Sequence, residues 1–106
     1  MPKLNSALNS LPIQKFAVAE DSMRPALRPG DSVVIWRGTG ARVGDVVLAK
    51  IGNKHYVKRI SRSLGDKVYL LGDNPEHSVD SHNFGWVERS KIVGRVFFVK
   101  RFDEGD

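Results

Sequence analysis

The stretch VVLAKIGNKHYVKRI, residues 46–60, decides the fold class of this 106-residue chain. Residues 46–51 and 55–60 are short apolar runs rich in β-branched and aromatic side chains, which is typical of β-strands. Gly52 and Asn53 separate the two runs, and this pair favours the tight turn of a hairpin. The sequence therefore predicts two antiparallel strands joined at residues 52–53.

The same pattern continues outward from this hairpin in both directions. Further strand-like runs occupy residues 16–19, 32–37, 67–71 and 92–102. Turn-forming residues separate the runs, and the single helical turn expected, at residues 23–27, is kept short by Pro25. Because no long helix alternates with the strands, the sequence predicts a mainly β fold, a small antiparallel barrel or sandwich, rather than a parallel α/β sheet.

Length and composition indicate one domain. A hydrophobic fraction of 41% and a charged fraction of 27% are close to the average of globular proteins. We expect a flexible arm at residues 1–14, a single domain at 15–102 and an acidic tail at 103–106. The longest apolar runs have four residues against the roughly 18 that cross a bilayer, so neither a transmembrane segment nor a secretory leader is expected.

Charge and cysteine content exclude several classes of function. The chain contains no cysteine, which rules out a disulfide scaffold, a thiolate zinc site and a cysteine nucleophile. Its net charge of +5 comes from 17 basic residues that are scattered along the sequence without a long basic run. Nucleic acid is therefore not expected as a partner, although the charge is compatible with an anionic surface.

Ser22 and Lys58 are the residues best suited to chemistry. Ser22 lies where an apolar strand gives way to a turn, so we expect an exposed hydroxyl that acts either as a turn cap or as a nucleophile. Lys58 shares one strand face with Tyr56 and Ile60, since side chains alternate along a strand. Its amine either extends to solvent or loses hydration, and in the second case its pKa falls toward the range of a general base.

A dense polar loop at residues 72–81 supplies the third candidate element. This loop is either a surface turn or a segment that supports Lys58 as a general base. In the second case the hydroxyl of Ser78 or of Ser81 orients the amine of Lys58, as a third group orients the base in serine–base systems.

Taken together, these segments resemble the type I signal peptidase family, serine endopeptidases that use a serine–lysine dyad. SMRPALRPGD at residues 22–31 resembles the nucleophile motif, and YVKRI at residues 56–60 resembles the lysine motif. GDNPEHSVDSHNFG at residues 72–85 resembles the last motif, and residues 44–47 and 92–96 resemble two conserved strands of the family. The resemblance covers residues 16–99 and implies a mostly β peptidase domain with a shallow groove.

The resemblance also implies a role for each matching residue. Ser22 would be the nucleophile, Lys58 the general base, Ser78 the hydroxyl that supports Lys58, and Asp80 the residue that stabilises the loop. The positions that line the family's pockets for small side chains are Phe16, Val18, Met23 and Val57. The expected partner is an extended peptide segment of a precursor, with small side chains at the first and third positions before the cut. No cofactor and no metal are implied.

Three departures from the family pattern qualify the resemblance. Glu20 stands where the family often has a small hydroxyl residue that helps to bind the oxyanion, and a carboxylate there would repel a developing negative charge. His82 replaces an arginine, so an ion pair with Asp80 requires a protonated imidazole. The membrane anchor and inserted second β domain of larger members are absent from this sequence. The missing anchor favours the short soluble members, such as the maturation proteases of nickel-type superoxide dismutase, in the cytoplasm or in peripheral contact with a membrane.

Other classes of function stay open at this point. A self-cleaving repressor-type regulator uses the same dyad, but the fourteen residues before the domain are too few for a helix-turn-helix. A β-barrel binding module that has lost catalytic activity would retain the fold, and Glu20 would then be the residue that indicates the loss. A metal site built from polar-loop residues is disfavoured by the irregular spacing of the four possible ligands, which are Asp73, His77, Asp80 and His82.

Overall fold

A computed structural model of the protein describes residues 11–102. These residues form seven strands: β1 (Ile13–Ala17), β2 (Ser32–Arg37), β3 (Val46–Ile51), β4 (Lys54–Leu64), β5 (Lys67–Leu71), β6 (Val87–Glu88) and β7 (Ile92–Lys100). A one-turn helix, α1 (Ser81–Phe84), and two 3₁₀ turns, Pro75–His77 and Arg89–Lys91, complete the regular structure. Residues 1–10 of the predicted arm and the predicted tail at 103–106 lie outside the described residues. β1 begins at Ile13, two residues before the predicted start of the domain.

The strands form one antiparallel sheet in the order β1-β2-β7-β3-β4-β5-β6, which confirms the prediction of a mainly β antiparallel fold. The predicted hairpin is also confirmed. β3 and β4 pair from Val46 opposite Arg59 to Ile51 opposite Lys54. Gly52 in the connecting turn has a φ of +63°, a left-handed conformation that glycine adopts without steric cost.

The helical turn predicted at residues 23–27 is present as a single hydrogen-bonded turn, in which the N–H of Leu27 donates to the carbonyl of Met23 at 2.8 Å. Pro25 has no N–H to contribute to a longer helix. A further helical element, the one-turn helix α1, was not predicted. It lies in the polar loop, where the Asp80 side chain caps it in a reciprocal arrangement with Asn83.

Two hydrophobic cores lie on opposite faces of the sheet, and β3 contributes to both. Its residues Val47 and Ala49 face the first core, whereas Leu48 faces the second. The first core is completed from β4, β5 and β6 by Ile60, Val68, Leu70 and Val87. The second is closed by the β1–β2 connection, which contributes Val18, Met23 and Leu27. This connection, packed against the sheet by its apolar side chains, also carries Ser22.

Candidate active site

The β1–β2 connection places Ser22 against the polar loop. The carbonyl of Ser22 accepts a hydrogen bond from the N–H of Asn74 at 2.8 Å, and the Asn74 side chain donates to the carbonyl of Asp21 at 3.1 Å. Ser22 is only 7% exposed, so the expectation of an exposed serine is wrong. Its neighbour Met23 is buried in the second core and draws the segment inward.

Gly72 allows the polar loop to approach Ser22. A Cβ atom at this position would lie 2.2 Å from Ser78 Oγ and 2.6 Å from the carbonyl oxygen of Ser22. Both distances are shorter than any van der Waals contact permits, so a side chain here would force the two segments apart. The glycine therefore allows the segment that carries Ser22 and the segment that carries Ser78 to lie close together.

Lys58 is buried on β4, with 3% of its surface exposed, which contradicts the alternative in which its amine extends to solvent. Its Nζ donates a hydrogen bond to Ser78 Oγ at 3.0 Å. Burial lowers the pKa of Lys58 below its usual value, although the carboxylates of Asp80 and Glu20 partly oppose this effect. The amine is thus both fixed in position and shifted toward its neutral form.

Asp80 fixes the hydroxyl that holds Lys58. Asp80 Oδ2 accepts from Ser78 Oγ at 2.8 Å and from the N–H of Gly72 at 2.9 Å, while Oδ1 accepts from the N–H of His82 at 3.0 Å. Burial alone would raise the pKa of Asp80, but these hydrogen bonds outweigh it and hold the pKa below the usual value. The exposed imidazole of His82 lies 3.3 Å from Oδ1, where its protonated form would pair with the carboxylate.

Of the two serines that the sequence left open as partners of Lys58, the structure brings only Ser78 to the amine. Ser81 Oγ is buried and accepts from the N–H of Leu70 at 2.8 Å. Ser81 therefore anchors the start of α1 to β5, while Ser78 contacts Lys58.

One cavity joins the candidate nucleophile, base and binding residues. It has a volume of about 130 Å³, and Ser22 and Lys58 both line it. All four predicted binding residues line it as well: Phe16, Val18, Met23 and Val57. Glu20, Lys54 and His55 add charged or polar groups to the wall. Within residues 11–102, the hydrogen bond of the Lys58 amine goes to Ser78, and none joins it to Ser22 Oγ.

The cavity lies beside two backbone segments with an unpaired edge. Among the described residues, β1 pairs only with β2, at one end of the sheet. The first part of β4, residues 54–58, pairs with β3 on one side, while β5 pairs only from Arg59 onward. Both segments contribute to the cavity wall, so an extended peptide could form main-chain hydrogen bonds there.

Two ion pairs that support the site were not predicted from the sequence. Arg59 makes a two-point contact with Asp73, at 2.9 and 2.8 Å, and so ties the polar loop to β4. Asp31 is fully buried, accepts from the N–H groups of Arg28 and Phe102, and pairs with Arg101 at 3.0 Å. This second cluster fixes the end of the β1–β2 connection. In the sequence, each of these ion pairs is marked only by an aspartate that follows a glycine in a turn. That pattern does not identify the arginine, far away in the sequence, with which the aspartate pairs.

Neither a metal cluster nor a membrane-spanning helix is present in the described part of the chain. Within residues 11–102, no three side chains of the kinds that ligate metals lie close enough to hold an ion. Two of the four possible metal ligands already have other partners. Asp73 pairs with Arg59, and Asp80 accepts hydrogen bonds from Gly72 and Ser78. No helix among these residues has the length and apolar character needed to span a membrane.

Comparisons with known proteins find similarity to repressors and to proteases. The chain is 34% identical to a LexA repressor of Bordetella avium over 74 residues, which is 69% of this chain and 34% of the repressor. It is 33% identical to mitochondrial inner membrane protease subunit 1 of Schizosaccharomyces pombe, over 72% of this chain and 68% of that protein. A probable signal peptidase I-2 of Synechocystis sp. is 50% identical over 32 residues, which is 30% of this chain and 15% of that protein. The chain thus spans about a third of the length of the LexA repressor that it matches.

The antiparallel fold is of the serine peptidase-like or self-cleaving repressor type. The chain belongs to the Peptidase S24-like family, which it matches over residues 9–97. The resemblance to signal peptidases and their relatives is therefore confirmed at the level of the family.

Proposed function

We propose that this chain is a serine endopeptidase of the signal peptidase type, with Ser22 as the nucleophile and Lys58 as its general base. The observation that carries the proposal is the buried Lys58 amine, held by Ser78 in the wall of the cavity that Ser22 also lines. A lysine with its usual pKa of about 10.4 is protonated at neutral pH and cannot accept a proton. The lowered pKa of Lys58 increases the fraction of neutral amine that can do so.

The proposed reaction has two stages with the same base. Ser22 Oγ attacks the carbonyl carbon of the scissile peptide bond, its proton passes to Lys58 Nζ, and the carbonyl oxygen becomes an oxyanion. Collapse of this intermediate breaks the C–N bond, and Lys58 returns the proton to the departing amine. Water then attacks the acyl ester with Lys58 again as the base, which releases the acid and regenerates Ser22. Ser78 holds the amine in position throughout.

Oxyanion stabilisation is assigned to the backbone N–H of Ser22. Glu20, two residues earlier, lines the same cavity, and its carboxylate acts on the site in two unfavourable ways. It raises the pKa of Lys58, against the effect of burial, and it repels negative charge on the substrate carbonyl. Glu20 therefore slows the proposed reaction, but Ser22 and Lys58 keep their roles as nucleophile and base.

The proposed substrate is an extended leader or pro-segment of a precursor protein, cleaved after small residues. The cavity of about 130 Å³ is smaller than the roughly 300–1,000 Å³ of pockets that hold drug-sized ligands. The apolar residues in its wall, Phe16, Val18, Met23 and Val57, suit small side chains such as that of alanine. The unpaired edges of β1 and of residues 54–58 would bind the peptide backbone on either side.

A peptide-library digestion tests the proposal. The purified chain is incubated with a complex peptide mixture, and new termini are identified by mass spectrometry. We expect cuts after small residues that disappear in Ser22→Ala and in Lys58→Met. The matched controls Ser90→Ala and Lys67→Met, at exposed positions, should retain them. Absence of cleavage by the wild-type chain, or persistence of the same cuts in Ser22→Ala, would contradict the proposal and favour a binding module.

The similarity to LexA repressors supports a second candidate, a regulator that cleaves a segment of its own chain. In that case incubation of a longer version of the chain alone would give cleavage with a rate constant independent of protein concentration. A peptidase acting on a separate precursor would instead show a rate proportional to enzyme concentration. The two kinetic orders distinguish the candidates.

A further inference from the structure

The active-site cavity carries an unpaired carboxylate close to the candidate nucleophile. Glu20 lines the cavity and is exposed to solvent. Within residues 11–102 it forms no ion pair, whereas the carboxylate of the next residue, Asp21, is paired with Arg24. The Glu20 carboxylate is therefore available to a charged group of a peptide that enters the cavity.

Glu20 lies at the end of the cavity where the peptide bond is cut in the proposed reaction. It is two residues before Ser22, and two residues of chain span at most about 7 Å. The carbonyl carbon of the substrate must approach Ser22 Oγ to about 3–3.5 Å before attack. Side chains within one or two residues of the cut therefore come within reach of the Glu20 carboxylate.

The basic side chains of the cavity wall lie at its other end. Lys54 is four residues from Lys58 along β4, a distance of about 13 Å in an extended strand. His55 packs against Phe16, with ring centroids 5.6 Å apart, and Phe16 is four residues before Glu20. Neither Lys54 nor His55 forms an ion pair with Glu20. When Lys58 is neutral, the end of the cavity nearest the cut thus carries the negative charge of Glu20.

We propose that Glu20 selects substrates with a lysine or arginine side chain beside the scissile bond, which rests on the peptidase function proposed above and narrows its class of substrate. Side chains alternate along an extended peptide, so the second residue before the cut points away when the first and third enter the cavity. The second residue before the cut and the first residue after it are therefore the positions left to meet Glu20.

A basic substrate side chain affects the reaction as well as binding. The unpaired Glu20 carboxylate raises the pKa of Lys58 and repels the developing oxyanion. A substrate cation paired with Glu20 reduces both effects, whereas a substrate carboxylate adds a second negative charge. Asp80, the other carboxylate that raises the pKa of Lys58, is buried behind Ser78 and cannot pair with a substrate. Selection by charge is therefore assigned to Glu20 alone among these carboxylates.

Matched peptides test the proposal with the full chain. Each peptide has alanine at the first and third positions before the cut. Lysine, glutamine or glutamate is placed either between the alanines or directly after the second one. At one of these positions we expect kcat/KM to be about fivefold higher for lysine than for glutamine, the size of an exposed ion pair, and lowest for glutamate. The midpoint of the pH profile should also be lower for the lysine peptide, because a paired Glu20 raises the pKa of Lys58 less.

Substitutions of Glu20 should change this preference in a defined direction. In Glu20→Gln the lysine and glutamine peptides should be cleaved within about twofold of each other, because no carboxylate is left to be paired. Glu20→Lys should favour the glutamate peptide instead. The matched control Glu88→Gln changes an exposed glutamate on β6 and should keep the wild-type preference. Equal cleavage of the three peptides by the wild-type chain, or a lysine preference that persists in Glu20→Gln, would overturn the proposal.

Binding without cleavage separates this proposal from the proposed function. The Ser22→Ala chain is titrated with the same peptides carrying a fluorescent label, and anisotropy gives Kd. We expect the lysine peptide to bind about fivefold more tightly than the glutamine peptide, and the difference to fall below about twofold when Glu20→Gln is added. If the wild-type chain cleaves no peptide, the peptidase function fails, and these affinities still decide whether Glu20 selects a basic side chain. Equal Kd values for the two peptides would show that it does not.

Discussion

Replacement of Asp80 by asparagine isolates the contribution of the carboxylate that organises the site. Asp80 is buried and accepts hydrogen bonds from Gly72, Ser78 and His82 through its two oxygens. An asparagine has one oxygen, so either orientation of its amide places an NH₂ group against the backbone N–H of Gly72 or of His82. A hydrogen bond to a charged acceptor contributes about 1.5–3 kcal/mol, and we expect the free energy of unfolding to fall by about 2–3 kcal/mol.

Urea denaturation followed by circular dichroism measures this loss. With a slope of about 1.5 kcal/mol per molar, the midpoint should fall by about 1.5 M. The exposed Asp66, whose substitution by asparagine should change stability by less than about 0.5 kcal/mol, is the matched control. A midpoint for Asp80→Asn as close to wild type as that of the control would refute the reasoning.

The pH dependence of the free energy of unfolding provides a second measure of how much Asp80 contributes to stability. The folded protein holds the pKa of Asp80 below its unfolded value. The stabilisation is therefore fully present above the unfolded pKa, about 3.9, and is lost as the pH falls toward the folded pKa. Stability of the wild-type chain should decline over this acidic range, and Asp80→Asn should show a shallower decline. Equal slopes for the two proteins would contradict the assigned pKa shift.

The remaining predictions concern the loop, the base and its neighbour. Gly72→Ala should lower the free energy of unfolding by about 1–3 kcal/mol and reduce peptide cleavage, because the added Cβ collides with Ser78 and Ser22; an unchanged melting curve would contradict this. Lys58→Arg should lose at least about 100-fold in kcat/KM, since a guanidinium does not accept a proton; wild-type activity would exclude Lys58 as the base. In the wild-type chain kcat/KM should rise with pH as the Lys58 amine becomes neutral, and the midpoint of this rise should lie below the usual lysine pKa of about 10.4. If kcat/KM does not change with pH while the chemical step limits the rate, the result would count against the dyad. Glu20→Gln should raise kcat/KM at neutral pH by up to about fivefold and move that midpoint to lower pH, whereas reduced activity would indicate that the carboxylate assists the reaction.

Much of the sheet could be predicted because its strands are short apolar runs between turn residues. The bounds predicted for β2, β3 and β5 agree with the structure. β4 is longer than predicted because it continues past a register irregularity after Ile60 into the polar residues of its hairpin with β5. β6 has two residues, Val87 and Glu88, and a segment that short carries no periodicity. The cap of α1, by contrast, has a local signal in the spacing of Asp80 and Asn83, a capping pair that could have been found.

The sequence indicated candidate residues for the site but not the contacts between them. Ser22, Lys58 and Ser78 belong to segments far apart in the sequence, and their motifs indicated which residues to examine. The sequence could not choose between Ser78 and Ser81, because that choice depends on how α1 packs against β5. Nor could it show that Gly72 is needed for close approach, since a side chain there would meet Ser22, which lies in a distant segment, and Ser78, which lies further along the same loop. Long-range packing therefore determines what the motifs alone left open.

Acylation of Ser22 by a small activated ester tests the central claim most directly, because it requires no knowledge of the substrate. The chain is mixed with p-nitrophenyl acetate, quenched in acid and digested, and the peptide that contains Ser22 is examined by mass spectrometry. We predict an acetyl group on Ser22, formed faster as the pH rises and reduced at least about 100-fold in Lys58→Met. An unmodified Ser22 in the folded chain, or equal labelling in Lys58→Met, would contradict a nucleophile activated by that lysine.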